Sequence, residues 1–275
     1  MSWLAVRVAG ASDSTRDAIA AALIEAGAAG VQEERGDLLT YLPDDARLDA
    51  VRGAVAQDDH AVLQLREAPE SEVGRPWPST VGVSRAGPFV VAPPWLATSG
   101  LAGELTIVID PAMAFGTGEH PTTRGVLRLM SEVVRPGDRV ADLGAGSAVL
   151  AIAAAMLGAS RVAAIEMDPD AIGNAEANVR ANDVADRVVV IEGDAEALLP
   201  HVAPLRVVLA NIISSVLISL LPTIRATLDV DGVAVFSGIL RDEREAFVTA
   251  LAGGGWRVEQ EDVEDVWWTA VARPA

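Results

Sequence analysis

The sequence predicts an α/β domain built on a parallel sheet, with a small α+β unit ahead of it. Three observations carry that expectation. Apolar residues feed the glycine turn Asp142-Leu143-Gly144-Ala145-Gly146-Ser147, and a helix-like run over 148–156 follows it; a parallel α/β domain presents a nucleotide-type cofactor in this way. Short apolar runs at 162–165, 188–191 and 205–209 each end in a polar residue, as successive βα units do. The first 66 residues alternate strand and helix signals in the order β-α-β-β-α-β.

Taken in order, residues 3–8 alternate as a strand, and Ser12-Asp13 can cap a helix that runs through 26 and is ended by Gly27. Strands over 30–34 and 38–42 are joined by a turn at Arg35-Gly36-Asp37, and a helix over 46–56 and a strand over 61–66 follow. That order is the ferredoxin-like one. No residue set in this unit (1–66) suggests chemistry, so recognition is its expected task. Residues 67–80, with Pro69, Pro76 and Pro78, read as a linker, and 81–275 as the main domain. Strands over 81–83, 89–91 and 106–109 lead into it, and a helix over 121–134 is expected above the cofactor pocket. The apolar stretch 207–221 is broken by Asn211, Ser214, Ser215 and Ser219 and stopped by Pro222, so it reads as a buried strand plus helix rather than a membrane span. After a fifth strand (232–236) and a helix (241–252), strands over 256–260 and 267–272 form an antiparallel hairpin that closes a seven-stranded sheet, with Trp267 and Trp268 as core and surface partners.

The polar residues at the strand ends make a site. Glu166 stands 22 residues after Gly144, where a carboxylate can accept hydrogen bonds from a ribose diol. Asp194 can take the exocyclic amino group of an adenine; N-capping the next helix is its competing role. Asn211 leaves an amide at the carboxyl end of the sheet, where ligands sit in such folds. The turn lacks the third glycine of a dinucleotide fingerprint, since Val149 stands at that position. A cofactor without phosphates fits better.

The block Asp110-Pro111-Ala112-Met113-Ala114-Phe115-Gly116-Thr117-Gly118-Glu119-His120-Pro121-Thr122-Thr123 is far narrower than a glycine turn. Together with Asp142 to Ser147, Ala210-Asn211-Ile212 and Ser237-Gly238-Ile239-Leu240, it makes the whole chain resemble the ribosomal protein L-eleven methyltransferase family of S-adenosylmethionine (AdoMet) enzymes. The resemblance implies a seven-stranded Rossmann-like class I methyltransferase domain with an N-terminal substrate-binding domain. It puts AdoMet contacts on Thr123, Gly144, Glu166 and Asn211; with Asp194 from the strand ends, Gly146 and the loop Gly116-Thr117-Gly118, these make the expected cofactor site. Asn211, Phe115 and His120 are the candidate catalytic residues, a hydrogen-bonded structural role being the alternative for His120. The family commonly has glycine where this chain has Ala112 and Ala148, histidine at Glu119, and aspartate at Glu166. Glutamate still offers two acceptors. Glu119 is expected to face the active-site entrance.

Composition narrows the chemistry. There is no cysteine, hence no disulfide framework, thiol nucleophile or cysteine metal cluster. All 21 basic residues are arginine, which excludes a lysine Schiff base and a P-loop lysine. His60, His120 and His201 are too scattered for a metal signature, and no metal is expected. A net charge of −18 opposes direct binding to nucleic-acid phosphates and favours a basic partner. The N-terminus has neither the basic leader nor the apolar block of a signal peptide, so a monomeric cytoplasmic enzyme is expected. The reaction the resemblance implies is methylation of lysines and the N-terminal amine of ribosomal protein L-eleven, free or on the large subunit. Another protein or a small amine as acceptor, or a non-catalytic AdoMet- or ribosome-binding module, are the alternatives.

Overall fold

A computed structural model of the chain describes residues 3–28, 30–34, 37–58, 60–68, 82–97, 104–110 and 116–275. It divides into two compact units, Met1–Thr80 and Val81–Ala275.

In the first unit, β1 (Trp3–Ala9), α1 (Asp13–Glu25), β2 (Gln32–Glu34), β3 (Asp37–Pro43), α2 (Asp49–Val55) and β4 (Val62–Ala68) follow in the expected order. The four strands pair antiparallel in the order β2-β3-β1-β4. Val6 and Val8 of β1, Leu38 and Leu42 of β3, Ile19 and Leu23 of α1, and Val51 and Val55 of α2 make its core. Glu67 and Ala68, expected to open the linker, instead pair with Leu4 and Trp3 at the end of β4. The rest of the linker lies outside the described residues. Ser12 occupies the N-cap of α1 but makes no cap bond with its side chain; its hydroxyl donates to Asp58 Oδ2 at 2.7 Å, and that same oxygen accepts Ser12 N–H at 2.8 Å.

The second unit begins with a three-stranded sheet, β5 (Ser84–Ala86), β6 (Phe89–Ala92) and β7 (Leu105–Val108). Then come α3 (Pro121–Val133), β8 (Arg139–Leu143), α4 (Val149–Met156), β9 (Arg161–Glu166), α5 (Pro169–Ala181), β10 (Val188–Glu192), α6 (Ala195–Val202), β11 (Leu205–Asn211), α7 (Ser214–Thr227), β12 (Leu228–Leu240), α8 (Arg244–Gly253), β13 (Trp256–Glu264) and β14 (Trp267–Pro274). The large sheet has the order β10-β9-β8-β11-β12-β14-β13. Its first five strands are parallel, and β14 inserts antiparallel between β12 and β13, as the hairpin reading expects. The chain doubles back between β8 and β11, so the crevice for a ligand opens at their carboxyl ends. Two apolar cores fill the faces, one against α3, α4 and α5, the other against α6, α7 and α8. Trp268 is fully buried, while Trp267 is only partly covered.

Pro222 does not stop the helix that follows Asn211: α7 runs on to Thr227 with Pro222 inside it. A proline there removes one intrahelical donor, yet Leu217, Leu220, Leu221 and Ile224 all pack into the core on that helix. Packing of an apolar face outweighs local propensity. Strand β12 is likewise longer than the sequence pattern suggests, because its register shifts between Phe236 and Ile239 rather than ending. Among the described residues, no helix is long and apolar enough to cross a membrane, and no group of three or more His, Asp or Glu is placed to hold a metal ion.

Candidate cofactor and transfer site

The end of β8 makes the floor of the site. Gly144 takes φ +66°, and a β-carbon there would stand 2.6 Å from Ile212 Cγ2, so the turn passes under the β11 loop only because the residue is glycine. Gly144 and Ala145 donate their N–H groups to Ile165 O at 2.9 and 3.1 Å, tying the turn to β9. Gly146 N–H donates to Glu166 Oε2 at 2.8 Å, and Asp168 N–H donates to Glu166 Oε1 at 2.9 Å. Glu166 is buried, and both of its oxygens brace the turn; each retains a second acceptor site for a ribose hydroxyl. Ala148, at the start of α4, takes φ +64°, a left-handed conformation that an L-residue adopts at a cost of about 1 kcal/mol.

Asp142 lies beneath the turn, 1% exposed. Its Oδ2 accepts Ala151 N–H at 3.0 Å, while Oδ1 has no partner among the described residues. Burial pushes its carboxyl up to about 7; the Ala151 bond opposes that shift and the Glu166 charge adds to it. Positive charge placed over the turn relieves such a group.

The wall opposite is built from α3 and the loop before it. Gly116 (φ +106°) and Gly118 (φ +86°) take left-handed conformations; their carbonyls accept the hydroxyls of Ser147 and Ser84, each at 2.7 Å. Thr117, half-buried, lies between them. Phe115 lies outside the described residues. Helix α3 is clamped to β13 by Arg124 Nε on Glu264 at 2.8 Å, and by Arg128 Nε on Asp262 at 3.0 Å. Ser237 reinforces its start, sharing a hydrogen bond of 2.7 Å with Thr269 and reaching Thr122 O at 3.3 Å. Thr123, in the first turn, is thereby held buried with its hydroxyl 3.4 Å from Asn211 Nδ2, which donates to it. Asn211 ends β11 beside Gly144, because Ala210 is in register with Leu143.

His120 N-caps α3. Its Nδ1 accepts Thr122 N–H at 3.4 Å and lies 2.7 Å from Thr122 Oγ1, and its ring meets Trp267 edge-on at 5.0 Å. Burial, then the Arg124 charge, holds its pKa below the ordinary value, which favours the neutral ring. Glu119, half-buried, accepts Gly82 N–H on Oε1 at 2.7 Å.

A cavity of about 420 Å³ opens on the α6 and α7 side of the β8 turn, walled by Gly144, Ile165, Met167, Gly193, Asp194, Ala195, Glu196, Ile212, Ile213, Val216, Ser219 and Leu220. Asp194 takes the N-cap role that the sequence allows. Its Oδ1 caps α6 by accepting Glu196 and Ala197 N–H at 2.7 and 3.3 Å, and Oδ2 makes no hydrogen bond among the described residues. The walls contain two acids and no arginine. A phosphate-bearing cofactor would be poorly served there, whereas one that joins an adenine to a sulfonium and an ammonium would suit apolar walls with two acids. The residues fit AdoMet.

Of the residues expected in the site, Gly144 and Asp194 line this cavity, while Gly146 is bonded to Glu166, Asn211 to Thr123, and Gly116 to the turn through Ser147. Sequence reading misses Asp142 as a buried, half-satisfied acid, and misses Asn174, Asn178 and Asn182. Their spacing of four on α5 is the available signal: it lines three amides along one stripe.

Comparison with known proteins gives the family. The model of the family Ribosomal protein L11 methyltransferase (PrmA) matches residues 44–274. The ribosomal protein L11 methyltransferase of Thermus thermophilus is 37% identical over 253 residues, covering 91% of this chain and 92% of its own. That of Chloroflexus aurantiacus is 35% identical over 270 residues, covering 86% and 81%. A crystal structure of ribosomal protein L11 methylase from Lactobacillus delbrueckii subsp. bulgaricus superposes with a TM-score of 0.63 at 28% identity, covering 70% of this chain and 98% of that one. The chain belongs to the ribosomal protein L11 methyltransferase family of AdoMet-dependent enzymes.

Proposed function

We propose that this enzyme transfers methyl groups to amino groups of ribosomal protein L11, both lysine side chains and the N-terminal amine, in the cytoplasm. The observation that carries the mechanism is the Asn211 amide at the chain reversal. Its Nδ2 is committed to Thr123, so Oδ1 is turned to the other side and has no donor among the described residues. Oδ1 can accept an N–H of an incoming amine and aim the lone pair. Bound AdoMet supplies an electrophilic methyl on a sulfonium. The chain's own part is alignment and exclusion of water, which carry most of such a transfer.

The acceptor must arrive neutral. A lysine with a pKa of about 10.4 is neutral in about one molecule per few thousand at pH 7, a penalty of roughly 4.6 kcal/mol; an α-amine near 8 meets about 1.4 kcal/mol. His120, engaged with α3, is better suited to holding the helix start than to removing that proton. The −18 charge favours encounter with a basic protein, and the first unit, which brings no chemistry of its own, is assigned to recognition.

The test is a time course with L11 at saturating AdoMet, the methyl groups mapped by peptide mass spectrometry. The wild type fills the N-terminal amine before the lysines, and Asn211→Ala slows every position by about 100-fold. Full turnover in Asn211→Ala removes the role given to Oδ1.

A further inference from the structure

We propose that Asn178 is a positioning residue: with Ser147 it forms a buried relay that sets the glycine turn and the Gly116 loop at one spacing, and so fixes the cofactor crevice. The inference rests on AdoMet use by the family and not on the identity of the methyl acceptor.

The relay starts from a problem at β7. That strand pairs with β6 on one edge only, and Ile109 N–H continues the pairing to Ala92 O at 3.0 Å. Val108 and Asp110 point the other way, and an open edge leaves backbone groups to be satisfied. Helix α5 meets them with side-chain amides. Asn182 Oδ1 accepts Val108 N–H at 2.8 Å while its Nδ2 donates to Val108 O at 2.7 Å. One turn earlier, Asn178 Oδ1 accepts Asp110 N–H at 2.9 Å.

Asn178 then does something Asn182 does not. Its Nδ2 donates to Ser147 O at 3.1 Å, and Ser147 Oγ donates onward to Gly116 O at 2.7 Å. Ser147 and Asn178 are each 1% exposed. Three backbone segments, at Asp110, Gly116 and Ser147, are therefore joined through two buried side chains. A side-chain amide offers the acceptor and the donor on two separate atoms: aspartate would face Ser147 O with a second acceptor, and an apolar residue would strand both backbone groups. Ser147 closes the glycine turn whose Gly144 lines the cavity, so any drift of the relay moves that turn against the Gly116 loop.

The experiment measures AdoMet Kd by calorimetry, and thermal unfolding of the same samples, for the full chain and four variants. Ser147→Ala and Asn178→Ala each raise the Kd by about threefold to tenfold, the worth of one buried hydrogen bond. The double variant raises it by less than the product of the two, because both cut one relay. Asn182→Ala, which takes amide bonds from the same strand edge but none from the turn, lowers the unfolding temperature and keeps the wild-type Kd. Should Asn178→Ala not fold, Ser147→Ala decides, since it removes one hydroxyl. Wild-type Kd in folded Ser147→Ala, or a Kd loss in Asn182→Ala equal to that of Asn178→Ala, overturns the proposal.

Discussion

Asp142 shows how much one atom at the base of the turn can set. Its carboxyl is buried with one oxygen unpartnered among the described residues, and burial pushes its pKa up to about 7 against 3.8 as the ordinary value. The folded-state value is raised, so the stability this group contributes is complete below about pH 4 and is lost as pH rises through about 7. Asp142→Asn removes that titration. Relative to Asp142→Asn, the wild type is expected to lose roughly 2 to 3 kcal/mol between pH 5 and pH 7.5. Denaturant titrations at the two pH values measure this; a constant difference between the proteins contradicts the burial account. Residues of this kind are the ones the sequence conceals. Gly144 is legible because a turn after an apolar run calls for glycine, and Asp194 and Asn211 because they end such runs. Asp142, inside its own run, carries no mark of an unpartnered oxygen. Asn178 reads as one more polar residue on an exposed helix until the open edge of β7 is in view.

At the scale of elements, the β12 strand shapes the transfer site although none of its side chains enters the cavity. Gly238 sits at its register shift with φ +83°, and a β-carbon there would stand 2.4 Å from Ile212 O, in the loop that carries Asn211. Gly238→Ala is expected to cost about 2 to 4 kcal/mol, combining left-handed strain with overpacking against backbone. Urea denaturation gives that cost, and an unchanged midpoint contradicts the close approach. The strand and helix order is legible in this sequence because apolar runs and glycine turns alternate cleanly from 139 onward. Element ends are less so. Pro222 is a stop signal by local rules, and four buried side chains of α7 carry the helix through it. Ser12 and Asp13 announce the start of α1, but the carboxylate that takes up the Ser12 hydroxyl comes from Asp58, 46 positions away, and no local pattern reports so distant a partner.

For the whole molecule, two features combine: a crevice with no arginine in its walls, suited to a cationic cofactor, and an overall charge of −18, suited to a basic acceptor protein. Both units of the fold are legible from strand order alone, whereas the narrow block around Gly116 and Thr123 was needed to choose among the many ligands such a sheet can bind. The most direct test is intact-protein mass spectrometry of ribosomal protein L11 from the same organism, after incubation with this enzyme and AdoMet. Stepwise gains of one methyl mass are expected, abolished by Gly144→Arg, whose side chain would fill the cavity floor. L11 left at its original mass by an enzyme that binds AdoMet contradicts the proposed acceptor.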